Sequence, residues 1–341
     1  MLACERHAPG ELVVLTGPQV NYRHSPTLGP CAGNLDAVNA YVTYAAAATR
    51  IPPEAIPPMT FSWVSTIDLE AWTSGECSYS CAQGVDAFSL DPILHHELAH
   101  ALFYELNPAP SHFLSEGFAT AMDPLQLGNY MAVSSRDPRD ILTNSTFSSG
   151  YYAEAGLFVA YLIQVLGVEK FRDLYQLMTR DSRLEDWASA FQSIYGASLD
   201  VVVEDYLATV ACPTQVAAFP QFECGAPLLA SEADGWHLGR VLDCGDQDVV
   251  GGIDAEGGLA MTVTFRVETP GDHEIRFSAP GATKSLVRLG ACDRCRWLPQ
   301  EVQLGGNQSS VVFLDAGLHF LTVRVFETTA QEIAVDVTPA M

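Results

Sequence analysis

His96-Glu97-Leu98-Ala99-His100 places two imidazoles four residues apart with a carboxylate between them. On an α-helix, residues at this spacing share a face, one turn above the other. Two imidazoles so arranged can converge on one metal ion at Zn–N distances of about 2.0–2.1 Å. Glu97 sits one residue round the helix from His96. Its carboxylate therefore comes beside the ion's open position and not onto the ion. A base there can take a proton from a water whose pKa zinc lowers to about 7. Two histidines leave such an ion short of a ligand. Glu105, five residues past His100, points to another side of the helix. Glu116, within Phe113-Leu114-Ser115-Glu116-Gly117-Phe118-Ala119, is the better donor, because the break at Asn107-Pro108-Ala109-Pro110 lets a new helix return across the first. Two His and one Glu leave the fourth position to water, the form of a catalytic zinc site. The competing reading is a helix that turns two histidines into a core.

H-E-x-x-H followed about fifteen residues later by F-L-x-E-G-x-A resembles the gluzincin group of metallopeptidases. Tyr152-Ala153-Glu154-Ala155-Gly156-Leu157-Phe158-Val159-Ala160-Tyr161-Leu162, with Gly167-Val168-Glu169-Lys170-Phe171 behind it, resembles a helix that follows the third ligand in bacterial members. The motif match covers roughly residues 80–180. The resemblance implies a Zn2+ cofactor on His96, His100 and Glu116, Glu97 as general base, and a peptide or protein substrate. The stretch before Glu116 is shorter than in the aminopeptidase branch, and no Gly-rich exopeptidase motif precedes His96. Endopeptidase activity or hydrolysis of another bond stays open. In that group a Tyr often hydrogen-bonds the oxyanion of the transition state, an interaction of several kcal/mol. Tyr152 is the candidate from its Tyr-x-x-x-Gly spacing, and Tyr151 the alternate; a Tyr packed on an Ala-rich helix reads equally well. Asp123 is a candidate orienter of a ligand His, although a solvated loop Asp before Pro124 is the simpler reading. His95 points away from the His96/His100 face and reads as a surface or supporting residue, and His112 as a loop residue. His7, His24, His237, His273 and His319 lack metal spacing.

The elements that must position these groups predict an α+β protein: a zincin-like catalytic domain, made of a small N-terminal αβ layer plus a helical subdomain, followed by an antiparallel β-sandwich. Glu11–Thr16, Met59–Ile67 and Gly84–Leu90 read as strands, the last a sheet edge that could pair with an extended substrate. Asn34–Thr49 has apolar residues at helical spacing. A helix capped by Asp91, with Pro92 in its first turn, runs to Leu106. Further helices are expected near Ser115–Met122, Tyr152–Leu166, Val168–Met178, Leu184–Tyr195 and Leu199–Val210. From Trp236 onward short alternating segments are separated by turns such as Thr269-Pro270-Gly271-Asp272. The expected divisions are a flexible tail at 1–10, the catalytic domain at 11–211, a linker at 212–225 and the sandwich at 226–341.

The 17 basic and 41 acidic residues give a net charge of −24, which repels nucleic acid and anionic membrane surfaces. No stretch approaches the roughly 20 apolar residues of a membrane span. Nine cysteines in 341 residues fit an oxidising compartment, hence a secreted or cell-envelope protein. Met1-Leu2-Ala3-Cys4 resembles the end of a bacterial lipoprotein signal; lipidation of Cys4 would leave eight cysteines, enough for four disulfides. Cys77/Cys81 and Cys292/Cys295 are expected to close short loops as disulfides. The alternative to an enzyme is a non-catalytic, zinc-containing surface lipoprotein that binds or adheres through its sandwich. Oligomeric state is not legible.

Overall fold

The computed structural model describes residues 11–74, 77–122, 137–143, 148–208, 222–253, 258–282, 284–292, 304 and 307–340. The protein is α+β. Its apolar residues fall into two main cores, one built from residues before Phe222 and one from the C-terminal strands together with Cys31.

The first core packs against a five-stranded sheet, in the order β1 (Val13–Thr16), β2 (Val20–His24), β3 (Met59–Trp63), β5 (Asp86–Ser89), β4 (Ser80–Gln83). The β2–β3 and β3–β5 pairs are parallel; β1 and β4 run antiparallel at the two edges. Helix α1 (Gly33–Ala48) buries Val38, Tyr41, Val42, Ala45 and Ala46 at helical spacing. It is tied to β2 because the Asn39 side chain accepts from the backbone N–H of Gln19 and Val20, both at 2.9 Å. The strand expected over Met59–Ile67 stops at Trp63; Ser65 instead caps a short helix, α2 (Thr66–Trp72), by accepting from the Asp68 N–H.

Helix α3 (His95–Phe103) starts one turn later than its sequence suggests. The Asp91 carboxylate accepts from the Tyr79 hydroxyl at 2.6 Å, and the Pro92 carbonyl accepts from the Tyr22 hydroxyl at 2.9 Å. Residues 91–94 stay out of the helix with those partners, and Leu94, not Asp91, stands at its N-cap. Leu98, Ala99, Ala101, Leu102 and Phe103 are all buried, and a buried Leu or Phe contributes about 1.5–3 kcal/mol.

Helix α4 (His112–Met122) crosses α3, with Phe103 stacked on Phe118 at 3.8 Å between centroids. Its other face meets α5 (Tyr152–Gln164). A Cβ on Gly117 would lie 2.7 Å from Val159 Cγ2 and 2.8 Å from the Ala155 carbonyl oxygen, and one on Gly156 would lie 2.8 Å from Thr120 Cγ2, so the two helices approach as closely as they do because neither glycine has a side chain. Helices α6 (Val168–Leu177), α7 (Leu184–Tyr195) and α8 (Leu199–Ala208) complete this part.

The C-terminal strands β6 (Trp236–Leu242), β7 (Val250–Ile253), β8 (Gly258–Val267), β9 (Gly271–Ser278), β10 (Ser285–Ala291), β11 (Gln308–Leu314), β12 (Gly317–Val325) and β13 (Gln331–Pro339) form two antiparallel sheets, ordered β10-β12-β8-β7 and β11-β9-β13-β6. Alternate residues such as Val263, Phe265, Ile275, Phe277, Val335 and Val337 meet in one core, the packing of a sandwich. The two halves are joined by the Cys31–Cys244 disulfide and by two hydrogen bonds between Asn34 and Gly251. Within the expected linker, Phe222–Gly225 is a 3-10 turn, and Phe222 packs edge-on against Tyr41 and His95. Cys292 pairs with Cys224 and not with Cys295, because the folded sandwich brings the start of its chain beside the end of β10. Cys77 and Cys81 are disulfide-bonded as expected. Cys4 and the tail lie outside the described residues.

Candidate metal centre

His96 and His100 project from the same face of α3, and Glu116 reaches them from the second turn of α4. His96 Nε2 lies 3.1 Å from His100 Nε2 and 3.1 Å from Glu116 Oε2, and His100 Nε2 lies 3.5 Å from Glu116 Oε2. Three donors tetrahedrally placed at Zn–ligand distances near 2.0–2.1 Å would be about 3.3 Å apart. The triangle therefore fits a divalent ion of zinc's size. The donor chemistry fits as well: two imidazole nitrogens facing each other at this distance oppose their lone pairs unless a proton or a cation lies between them.

Each of the three donors is set by a different part of the fold. His96 is buried, and the ring of Tyr152, the first residue of α5, lies parallel to it with centroids 5.6 Å apart. His96 Nδ1 is buried without a hydrogen-bond partner among the described residues; Asp123 lies outside them. His100 Nδ1 is 3.0 Å from Ser115 Oγ, the residue before Glu116. With a metal on Nε2, Nδ1 would carry the hydrogen and donate it to that hydroxyl. Ser115 in turn hydrogen-bonds Tyr175, whose phenol is pushed to a higher pKa by burial, against the pull of Ser115. Gly117, the residue after Glu116, is where α4 touches α5. Glu116 is thus held between an orienting hydroxyl and a helix contact.

Burial disfavours a charge on His100, but the adjoining Glu116 carboxylate and, further off, Glu97 outweigh it and raise the pKa. Burial likewise opposes ionisation of Glu116; the neighbouring His100 and His96 overcome it and hold the carboxyl well below the usual range. In the metal-free chain each group thus favours the charged form of the other, an imidazolium beside a carboxylate.

Glu97 is buried beside the triangle, and its Oε1 accepts from Ser80 Oγ on β4 at 2.8 Å. The sheet edge next to the site is β4. The expected edge, Gly84–Leu90, contains β5, which is paired on both sides. His95 is buried and stacked on Tyr41 at 4.0 Å, a packing residue and not a surface one. His112 opens α4 and is not in a loop; burial and then Arg180 lower its pKa, against Glu116. Ser80 and Ser115 have no sequence signature, since any of the chain's serines could have filled these roles.

A second group, Glu232, Asp234 and His237, could also hold an ion but is largely exposed. His237 places Nδ1 2.7 Å from Asp336 and Nε2 3.2 Å from Asp234, and those bonds raise its pKa, Asp336 first. His237 therefore already has a carboxylate hydrogen-bonded to each ring nitrogen, Asp336 and Asp234.

No family model and no curated protein matches the chain. Among solved structures, the pre-peptidase C-terminal domain of a collagenase from Bacillus anthracis covers 33% of this chain and 94% of its own, at 11% identity and a TM-score of 0.24. A β-glucosidase from Kluyveromyces marxianus covers 25% of this chain and 10% of its own, at 14% identity and a TM-score of 0.18. A family GH115 4-O-methyl-α-glucuronidase covers 85% and 52%, at 10% identity and a TM-score of 0.21. Likenesses this slight do not assign a class, and the reading rests on the site.

Proposed function

We propose that the protein is a zinc-dependent hydrolase of the gluzincin type, cleaving peptide bonds, with residues 11–211 as a zincin-like catalytic unit, 212–225 as its linker and 226–341 as an accessory sandwich. The observation that carries this reading is the His96–His100–Glu116 triangle at tetrahedral spacing with Glu97 alongside. Zinc bound there would act as a Lewis acid and make water acidic enough to ionise near neutral pH. Glu97 takes the proton from the attacking water as the new C–O bond forms. It returns that proton to the amide nitrogen as the C–N bond breaks. Tyr152, against His96, donates its hydroxyl hydrogen to the developing oxyanion. The open edge of β4 offers backbone groups to an extended peptide, which would lie alongside Glu97.

The described residues contain no helix long and apolar enough to cross a membrane, and their disulfides are compatible with an extracytoplasmic location. Export to the cell envelope or beyond, with a lipid on Cys4, is part of the proposal.

The test is a peptide-library digest by the zinc-loaded chain, with and without chelator, beside Glu97→Gln. Chelator-sensitive cleavage that disappears in Glu97→Gln while zinc stays bound supports the reading. Full activity in that variant refutes the role of Glu97. Absence of cleavage under every condition favours a zinc-containing adhesion protein, and cleavage of a non-peptide bond would show in product masses.

A further inference from the structure

We propose that Ser80 is the positioning residue of the general base and that the Cys77–Cys81 disulfide is the clamp that holds it in place. The inference rests on the reading of Glu97 given above. Successive side chains of a strand point to opposite faces. On β4, Ser80 turns toward α3, where its hydroxyl meets Glu97 Oε1 at 2.8 Å. Cys81 turns to the other face of the sheet, against the small core of Val64, Leu69, Cys77 and Phe88. The strand is thus gripped on one face by the disulfide while presenting its hydroxyl on the other.

β4 needs such a grip. It has four residues and, among the described residues, lies at the sheet's edge with a hydrogen-bonded ladder on one side. Edge segments of this kind open locally at low cost. Tyr79 adds two more ties: its carbonyl accepts from the Leu90 N–H at 3.1 Å and its hydroxyl donates to Asp91. The crosslink spans a sequence separation of 4, against 213 for Cys31–Cys244. Closing so short a loop removes little entropy from the unfolded chain. Its effect is local, at the segment bearing Ser80. A glutamate base must face an open ligand position and has three rotatable bonds with which to miss it. A hydroxyl hydrogen bond to an ionised carboxylate is of the stronger kind and fixes that direction.

The test uses the full chain carrying Ser80→Ala, Ser80→Thr, or Cys77→Ser with Cys81→Ser, measuring kcat, KM and bound zinc on a peptide the wild type cleaves. Crystal structures of zinc-free wild type and Ser80→Ala supply a readout independent of activity, the direction of the Glu97 carboxylate. Ser80→Ala is expected to lower kcat about tenfold to a hundredfold with KM within about twofold, zinc content unchanged and Glu97 turned away from its wild-type rotamer. Ser80→Thr, which keeps the hydroxyl, restores most of kcat. The double cysteine variant loses kcat in the same direction, and a wild-type kcat there overturns the clamp. An unaltered kcat or an unaltered Glu97 rotamer in Ser80→Ala overturns the positioning role. If zinc-loaded wild type cleaves no peptide, the hydrolase reading fails by itself, and the rotamer comparison still decides what Ser80 does.

Discussion

Gly117→Ala is expected to perturb the proposed metal centre without altering any of its three donors. The added Cβ would sit 2.7 Å from Val159 Cγ2 and 2.8 Å from the Ala155 carbonyl oxygen. Neither can give way easily: Val is stiff at χ1 in a helix, and the carbonyl is backbone. Restoring ordinary contact requires α4 and α5 to part by about 0.7 Å, since carbon atoms repel steeply inside ~3.4 Å. Overpacking of this kind costs about 1–3 kcal/mol. Alanine's better helix propensity returns about 1 kcal/mol. A net loss of roughly 0–2 kcal/mol in stability follows from those two terms. The effect on the site is larger in proportion. Glu116 precedes Gly117 and moves with α4, whereas metal–ligand distances tolerate only about 0.2 Å. Zinc affinity is expected to fall at least about tenfold, a 1.4 kcal/mol change. The assays are urea unfolding and a competition titration against a coloured chelator. Ile333→Val in the sandwich core, at a cost of about 0.5–1.5 kcal/mol, is the control and keeps full zinc affinity. If Gly117→Ala binds zinc as tightly as the wild type, the α4–α5 contact does not position Glu116 and the argument is refuted.

Ser115→Ala removes the acceptor for His100 Nδ1–H and should lower zinc affinity about 10–100-fold, measured by the same competition; an unchanged value would show that the hydroxyl does not orient the ring. The charge state of the empty site also has a pH signature. Glu116 is held well below its ordinary pKa, so its contribution to metal-free stability is lost as pH falls through that lowered value. His100 is raised, so its contribution is lost as pH rises through that raised value. Below that raised pKa zinc must displace the His100 proton, so affinity weakens there and binding releases a proton. Calorimetric titrations in two buffers of different protonation enthalpy should give different apparent heats; equal heats would sink the paired-charge description.

Two kinds of information built this site. His96, Glu97 and His100 were legible in the sequence because helical periodicity is local: once residues 95–103 are a helix, their relative directions follow. The alternating strands after Trp236 and the Ala-rich helix at α1 were legible for the same reason. Where local and long-range preferences competed, local reading failed. Asp91-Pro92 has the chemistry of a helix start, yet Tyr79, just before β4, and Tyr22, on distant β2, take its polar groups, and the helix begins at His95. The Cys292/Cys295 spacing suggests a small loop, but in the folded sandwich Cys292 is bonded to Cys224, 68 residues away in sequence. Glu116 was legible as the third donor from the break at residues 107–110 and the motif around it, but the close approach of α4 to α5 that sets its position, with Gly117 against Val159 and Ala155, is decided by packing. Ser80 and Ser115 are ordinary serines until the chain folds. A hydroxyl acquires a role only from what stands within about 3 Å of it, and no spacing along the chain encodes a neighbour brought in by packing.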